Sequence, residues 1–174
     1  MKILDFPSLR QIYDHDCGAN ALQGILAYYG IELNEETVMK YAKTNKKDGT
    51  SSTNICRTLK KFKLKYKAKS MDINEVKDFI DKKVPVLIVL QAWKEKNNDY
   101  ENEYKHGHWV VAIGYDKNRI IFEDPGSFNR TFLKKRELII RWHDKINGQK
   151  FINHGIAVYG KKPVYNAKNI VHMD

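Results

Sequence analysis

The sequence predicts an α+β fold, in which N-terminal helices pack on a mostly antiparallel sheet, as one domain over residues 1–174. Three observations lead to this prediction. Apolar residues recur at helical spacing in the first half of the chain, whereas the second half carries short apolar runs separated by turn residues. A chain of 174 residues with 42% hydrophobic and 30% charged residues also has the size and composition of one globular domain. Helices followed by strands favour two packed layers.

The first helix is predicted from about Cys17 to Tyr29. Asp16 suits its N-cap, and Gly30 suits the position just after its end. The helix has a clear core face, because apolar residues recur at i, i+3, i+4 and i+7, namely at Leu22, Ile25, Leu26 and Tyr29.

Three more helices are predicted before residue 85. Asn34 caps the second, which runs from Glu35 to about Lys43. Ser52 or Thr53 caps the third, and Asp72 or Asn74 begins the fourth. Their inward positions are apolar: Ile55, Leu59 and Phe62 in the third helix, and Val76, Phe79 and Ile80 in the fourth.

Lysines alternate with mainly apolar residues between Lys61 and Lys69. This period of two indicates a strand with one basic face. A basic stripe can bind phosphates, but lysines also protect the edge strand of a sheet from association, and we favour the edge strand.

Strands dominate the predicted second half. The apolar run Val86–Leu90 indicates a strand covered on both faces, and Trp109–Tyr115 and Arg119–Glu123 form a hairpin. A helix from about Lys134 to Trp142, with Trp142 in the core, and a last strand from Gly155 to Tyr159 complete the sheet layer. The polar stretch Asn97–Glu103 is predicted to be an exposed loop.

Composition excludes several classes of protein. The net charge is +10, but no nucleic-acid motif accompanies it, so a nucleic-acid partner is not expected. Two cysteines exclude a disulfide scaffold and favour a reducing compartment. The longest apolar stretch, Val84–Leu90, is far shorter than the roughly 20 residues that span a bilayer, and Met1–Leu4 is too short for a signal peptide. We therefore expect a cytoplasmic protein.

Cys17 is the first candidate nucleophile. It lies in the first turn of the first helix, where unpaired N–H groups and the helix dipole favour a thiolate. Gly18 is expected to leave room for a substrate. Because Asp14 and Asp16 disfavour another negative charge, Cys17 needs a cationic partner; the alternative is an ordinary buried cysteine.

Two histidines compete as that partner. His108 begins an apolar strand, and His106 faces the same side of an extended chain. Either ring can stabilise a thiolate or protonate a leaving amine, and spacing alone does not separate them. A zinc site built from these histidines, His15 and the two cysteines is not expected, because their spacing does not match structural zinc sites.

Asp124 ends the second hairpin strand and can orient a histidine, although an Asp before Pro-Gly is also a common turn residue. The pairing register decides between these roles. A two-residue turn at Lys117-Asn118 puts Asp124 on the face opposite His108, whereas a three-residue turn, or a bulge, puts both on one face. Gln11, six residues before Cys17, can donate its amide to an oxyanion together with the Cys17 backbone N–H.

These residues, in this order, resemble the bacteriocin-processing, double-glycine leader peptidase family, which has a papain-like cysteine peptidase fold. The likeness covers about residues 8–145. It is carried by Gln-x4-Asp-Cys-Gly at 11–18, Tyr-Tyr-Gly at 28–30, His-Trp-Val-Val at 108–111, Gly-Tyr-Asp at 114–116 and Glu-Asp-Pro at 123–125. The resemblance implies Cys17 as nucleophile, His108 rather than His106 as base, Asp124 as orienting acid and Gln11 as oxyanion donor.

The leading hypothesis is therefore a cysteine peptidase that acts on a peptide or protein through a thioester, with no metal or cofactor. Transfer of the acyl group to an amine instead of water is an alternative on the same residues. A binding module without catalysis and a basic adaptor for polyanions are two further hypotheses. A binding module without catalysis would be expected to lack the nucleophile or the base. The polyanion adaptor rests on the net charge alone.

Overall fold

A computed structural model confirms the α+β class and describes residues 1–94, 99–146 and 148–173. The helices in these residues are α1 (Cys17–Tyr28), α2 (Glu35–Ala42), α3 (Ser52–Lys61), α4 (Ile73–Asp81) and α5 (Lys135–Arg141). The strands are β1 (Lys2–Ile3), β2 (Lys65–Ser70), β3 (Val86–Gln91), β4 (Gly107–Tyr115), β5 (Arg119–Glu123), β6 (Thr131–Lys134), β7 (His143–Ile146), β8 (Gln149–Ile152) and β9 (His154–Tyr159).

The main sheet has the strand order β2-β9-β3-β4-β5-β6, with β1 paired to β4. Each described pairing is antiparallel, as predicted. All six residues of β3 are buried, which confirms a strand covered on both faces. β7 and β8 form a separate hairpin.

Among the described helices, three N-termini have a side-chain cap hydrogen bond, and at two of them the capping residue is the predicted one. Asn34 accepts from the Thr37 N–H, and Asp72 accepts from the Glu75 N–H. Ser51, not Ser52 or Thr53, caps α3 by accepting from the Asn54 N–H. That prediction was one residue late, because the residue before the helical turn has the extended backbone that a cap requires. Gly30 follows α1 with a φ of 78°, as predicted for a residue after a helix end.

The core lies between the helices and the sheet. α1 is buried along most of its length and contacts both β4 and α2, so the first helix is the centre of the helical layer. Trp142, which follows α5, is 2% exposed and donates its ring N–H to the His154 carbonyl at 2.9 Å. The predicted core role of Trp142 is confirmed.

The predicted strand over Lys61–Lys69 was too long. α3 continues to Lys61, and Lys63 has a φ of 59°, so the extended chain begins only at Lys65. β2 nevertheless lies at the edge of the sheet with Lys65 and Lys67 exposed, which confirms the favoured interpretation.

Four strands were missed, the first of them the two-residue strand β1, which pairs with β4. β6 extends the sheet beyond β5, and β7 and β8 pair from His143↔Ile152 to Ile146↔Gln149. The sequence Asn-Gly at 147–148 is a strong hairpin signal that could have predicted the pairing of β7 with β8.

The predicted exposed loop is partly wrong. Asn97 and Asn98 lie outside the described residues, and Tyr100 is buried at 5% exposure. The Tyr100 hydroxyl accepts from the Lys94 N–H, and its ring lies 4.1 Å from the Arg141 guanidinium carbon. In the part of the chain that is described, no helix has the length and apolar character needed to cross a membrane.

Candidate active site

Cys17 is the first residue of α1 and is half-buried against the core. The N–H groups of a first helical turn have no partner inside the helix, so this end of α1 favours a negative charge. Gly18 is required for packing: a Cβ there would lie 2.7 Å from the Thr50 Cβ and 2.9 Å from the Trp109 Cδ1. The expectation that Gly18 leaves room for substrate was wrong, because Thr50 and Trp109 already fill that space.

His108 joins Cys17 to Asp124. Its Nε2 atom lies 2.7 Å from Asp124 Oδ1, and the ring also has a hydrogen-bonding contact with the Cys17 side chain. Since Nε2 faces the carboxylate, Nδ1 is the ring nitrogen left for the thiol. His108 is 8% exposed and Asp124 3%, so the histidine and the carboxylate are largely shielded from water, whereas Cys17 is half-buried.

A β-bulge brings Asp124 to the His108 side of the sheet. Next to the turn, β4 and β5 pair as Tyr115↔Ile120 and Gly114↔Ile121, the register of a two-residue turn. Beyond Ile113 the pairs are Ala112↔Phe122 and Val111↔Glu123, a shift of one residue. The bulge is one of the two solutions that the register argument allowed, and it changes the face on which Asp124 lies.

Asp124 is held by three donors. Its Oδ1 atom accepts from the Gly126 N–H at 2.9 Å as well as from His108, and its Oδ2 atom accepts from the Thr131 hydroxyl at 3.1 Å. Burial raises the pKa of this carboxyl, but the His108 hydrogen bond and charge, together with the hydrogen bonds from Gly126 and Thr131, outweigh burial, so the pKa lies below its usual value. Thr131 was not predicted, because it lies on the missed strand β6.

The electrostatics of His108 complement those of Asp124. Burial lowers the pKa of the ring, yet the hydrogen bonds to Asp124 and Cys17 and their negative charges raise it well above its ordinary value. The arrangement therefore favours a protonated His108 ring beside the Asp124 carboxylate.

Gln11 lies against the turn that follows Asp124. Its backbone N–H donates to the Pro125 carbonyl at 3.2 Å, and its side-chain Nε2 donates to the Tyr13 carbonyl at 2.7 Å. An amide nitrogen carries two N–H bonds, so the Tyr13 contact leaves one for another acceptor.

His106 takes no part in this group. Its Nε2 atom lies 4.0 Å from Glu103, and its backbone N–H donates to the Gln91 side chain at 3.0 Å. The structure thus separates two histidines that spacing left as competitors.

Asp16 precedes α1 as predicted, but its side chain does not cap the helix. Instead Asp16 Oδ2 accepts from the N–H groups of Ile12 and Tyr13 at 3.2 and 2.9 Å, which ties the Gln11 loop to the start of α1. A second tie, also missed, is Glu123, whose buried carboxylate accepts from Ser8, Arg10 and Arg130. Asp16 thus fixes the loop to the start of α1, and Glu123 holds Ser8 and Arg10 against the sheet.

Two cavities flank the site. A cleft of about 280 Å³ contains Cys17 and is bounded by Gly49, Gly107 and Trp109. Its rim carries charged residues of both signs: Lys46, Lys47, Lys105, Lys145, Asp14, Asp48 and Asp144. A second cavity of about 410 Å³ reaches Asp124 from the other side and is lined by Trp93, Phe122 and Phe132 among others.

No group of acidic, cysteine and histidine residues with the arrangement of a metal site occurs among the described residues. Both cysteines are free, and Cys56 lies on α3, away from the Cys17 cleft lining. Cys56 packs against the hydrophobic core.

Residues 5–146 match the peptidase C39 family. Among curated proteins, no relative matches the chain. Several solved structures share its fold, which confirms the predicted papain-like architecture.

One such structure is the peptidase domain of Streptococcus ComA, a bi-functional ABC transporter involved in a quorum sensing pathway. It is 22% identical, with a TM-score of 0.68, and the match covers 92% of this chain and 100% of that domain. A double glycine motif protease from an AMS/PCAT transporter, solved with a leader peptide, is 18% identical with a TM-score of 0.66, over 94% and 95% of the two chains. A C39-like peptidase from Bacillus anthracis is 16% identical with a TM-score of 0.68, over 94% and 100%.

Proposed function

We propose a catalytic mechanism from the premise that this chain belongs to the peptidase C39 family and is a cysteine peptidase. In this mechanism Cys17 is the nucleophile, His108 the general base and acid, and Asp124 the residue that orients His108. The observation that supports it most directly is the His108 ring, which contacts both Cys17 and the buried Asp124 carboxylate.

The first half of the reaction forms a thioester. The Cys17 thiolate attacks the carbonyl carbon of an amide, and the electron pair of the carbonyl moves to its oxygen. His108, charged in the resting state, then gives its proton to the leaving nitrogen as the C–N bond breaks. Asp124 keeps the ring oriented throughout, since its two oxygens are fixed by Gly126 and Thr131.

The second half releases the acid. His108, now neutral, takes a proton from water, whose oxygen attacks the thioester carbon, and Cys17 leaves as the thiolate. During both attacks the negative carbonyl oxygen needs donors. The Cys17 backbone N–H at the start of α1 and the free N–H of the Gln11 amide are the proposed pair.

The substrate is proposed to be an extended peptide segment in the cleft that holds Cys17. This cleft contains Cys17, and its lining combines two glycines, Gly49 and Gly107, with the aromatic side chains of Tyr104 and Trp109. The related protease from an AMS/PCAT transporter was solved with a leader peptide, which supports a peptide rather than a small amide as the ligand here.

Alkylation tests the nucleophile. Iodoacetamide near neutral pH is expected to modify Cys17 at least about tenfold faster than Cys56, because the imidazolium and helix end favour a thiolate at position 17. Burial, only partly offset by hydrogen bonds to Tyr66 and Ser52 and the charge of Lys60, raises the pKa of the Cys56 thiol.

A peptide probe with an acylating group, followed by mass mapping, tests the reaction itself. We expect acylation at Cys17 in the wild type and in Cys56→Ala, and none in Cys17→Ala. Faster modification of Cys56 by either reagent, or no acylation of the wild type, would remove Cys17 from its proposed role.

A further inference from the structure

Two acidic side chains meet behind the first turn of α1. Asp16 is fully buried, and Glu35, the first residue of α2, is 6% exposed. Glu35 has hydrogen-bonding contacts with the Asp16 carboxylate and with the Asn20 side chain. One oxygen of each acid, Asp16 Oδ1 and Glu35 Oε1, is buried without a donor among the described residues.

A pair of ionised carboxylates is unfavourable in such a place, because like charges repel and each buried oxygen needs a donor. Asp16 is the charged group that acts on Glu35, and in the described part of the chain no lysine, arginine or histidine side chain offsets it. A single proton between the carboxyls removes the repulsion and supplies the missing donor.

The pair is connected to the reacting groups. The second oxygen of Asp16 accepts from the N–H groups of Ile12 and Tyr13, and the Tyr13 carbonyl in turn accepts from the Gln11 amide. Asp16 is also bonded directly to Cys17 through the chain. The Asp16 carboxylate therefore holds the loop that carries the proposed oxyanion donor.

We infer that Asp16 and Glu35 share one proton and act as a positioning pair that holds the Gln11–Tyr13 loop beside Cys17. This inference rests on the proposed peptidase mechanism for its effect on rate. Glu35 touches no reacting atom in it and acts through Asp16.

The titration of Glu35 gives the pair a measurable signature. Burial, followed by the charge of Asp16, raises the pKa of Glu35 to about 7, although the hydrogen bond from Asn20 opposes the shift. The folded protein then holds a proton that the unfolded chain has already lost between the ordinary pKa of 4.5 and about 7. Stability contributed by the pair is present below this window and is lost as pH rises through it.

The variants are Glu35→Gln, which keeps a donor for Asp16 but does not titrate, and Glu35→Ala, which removes the donor. Glu36→Gln is the matched control, since Glu36 is exposed in the same first turn of α2. Thermal unfolding of Cys17→Ala proteins from pH 5 to 8 reads the pair without any catalysis. Between pH 5 and 8, the unfolding midpoint of the protein that keeps Glu35 should fall by roughly 5 °C more than that of the Glu35→Gln protein. The Glu36→Gln protein should show the same fall as the protein that keeps both acids.

The rate of acylation by the peptide probe tests the positioning role. Glu35→Ala should acylate about 10–100-fold more slowly, as expected for a displaced reacting group, and Glu35→Gln should restore the rate near pH 6. The ratio of wild-type to Glu35→Gln rates should fall as pH rises through 7.

If the unfolding midpoints of the Glu35 and Glu35→Gln proteins had the same pH dependence, the two acids would not share a proton. A wild-type acylation rate in folded Glu35→Ala, or a pH-independent rate ratio if that variant does not fold, would overturn the positioning role. Failure of the wild type to acylate at Cys17 would instead count against the proposed function, and the unfolding profiles would still decide whether the proton is shared.

Discussion

Cys17 and Ser52 hold equivalent places in this fold, but their surroundings make them chemically different. Each is the first residue of a helix, and each contacts a histidine near the start of a strand: His108 in β4 and His154 in β9. Ser52 Oγ lies 2.7 Å from His154 Nε2, a separation typical of a hydroxyl hydrogen bond. Similar local geometry therefore occurs twice in one chain.

The difference lies behind the rings. His108 has the Asp124 carboxylate on its far side, whereas the His154 ring contacts Phe151 and Trp109 at centroid distances of 4.8 and 6.3 Å. Burial lowers the pKa of His154 to about 4, so this ring is neutral where the His108 ring is charged. A nucleophile beside a histidine is thus insufficient; the third group decides whether the histidine carries a proton.

Replacement of the two histidines should separate the sites most strongly. His108→Ala is expected to lower the acylation rate by about 10⁴-fold or more, because it removes both the cation beside Cys17 and the proton donor. His154→Ala should change the rate of the folded protein by less than about tenfold, since it loses ring packing and the Ser52 hydrogen bond but no group of the proposed mechanism. The measurement is single-turnover acylation, normalised to the folded fraction.

His106→Ala is the control for histidine loss near the cleft and should be nearly silent. An inactive His106→Ala beside an active His108→Ala would reverse the assignment of the base. Equal losses for His108→Ala and His154→Ala would end the distinction between the two sites.

Asp124 variants test the third group. Asp124→Ala should lower turnover by about 10³–10⁴-fold, because the buried His108 ring loses its acceptor and its charge. Asp124→Asn should be milder, since papain-like peptidases commonly use Asn here. The Thr131 hydroxyl can accept from an amide as readily as it donates to a carboxylate. Turnover equal in all three proteins would mean that the carboxylate does not distinguish this site from Ser52–His154.

Gln11 should matter less than the triad. Gln11→Ala is expected to slow acylation by about 10²–10³-fold, the usual cost of one oxyanion donor. Probe affinity should hardly change, because the ground-state carbonyl gains little from that donor. Rate and affinity are separated by varying probe concentration, and Gln23→Ala is a control, since Gln23 lies in α1 and donates to the Leu33 carbonyl. An unaltered maximal rate would exclude Gln11 from the reaction.

Much of the fold could be predicted because its signals are local. The face of α1, the cap at Asn34 and the apolar run of β3 each depend on residues close in sequence. The missed strand β6 is short, and alternate residues are only partly buried, so it lacks a clear pattern. The strand predicted from Lys61 failed for a related reason, because a period of two continued into the last turn of a helix.

The site required more than local signals. Spacing proposed Cys17, His108, Asp124 and Gln11 but left His106 open, and the resemblance to a family made that choice. The bulge after Ala112, which determines the face of Asp124, depends on how β4 packs as a whole. The contact between Asp16 and Glu35 joins two helices across a turn, and nothing in the sequence pattern distinguishes Glu35 from the exposed Glu36.

The smallest expected effect is on stability. It tests directly whether the pKa values of His154 and His108 are shifted in opposite directions. The unfolded chain protonates His154 near the ordinary pKa of 6.5, whereas the folded protein resists protonation until about pH 4. Stability due to neutral His154 is thus complete above 6.5 and is lost as pH falls through this window. His154→Gln keeps a partner for Ser52 but cannot protonate, so acidification should lower the wild-type unfolding midpoint by roughly 3–5 °C more than that of the variant. The Glu35 titration is common to both proteins and cancels in this difference.

For His108→Gln the sign should reverse, because a raised pKa adds stability that is present below 6.5 and is lost as pH rises through the folded pKa. Differences of the same sign in the two variants would show that the two histidines do not differ in charge, and the contrast between Cys17–His108 and Ser52–His154 would then need another cause.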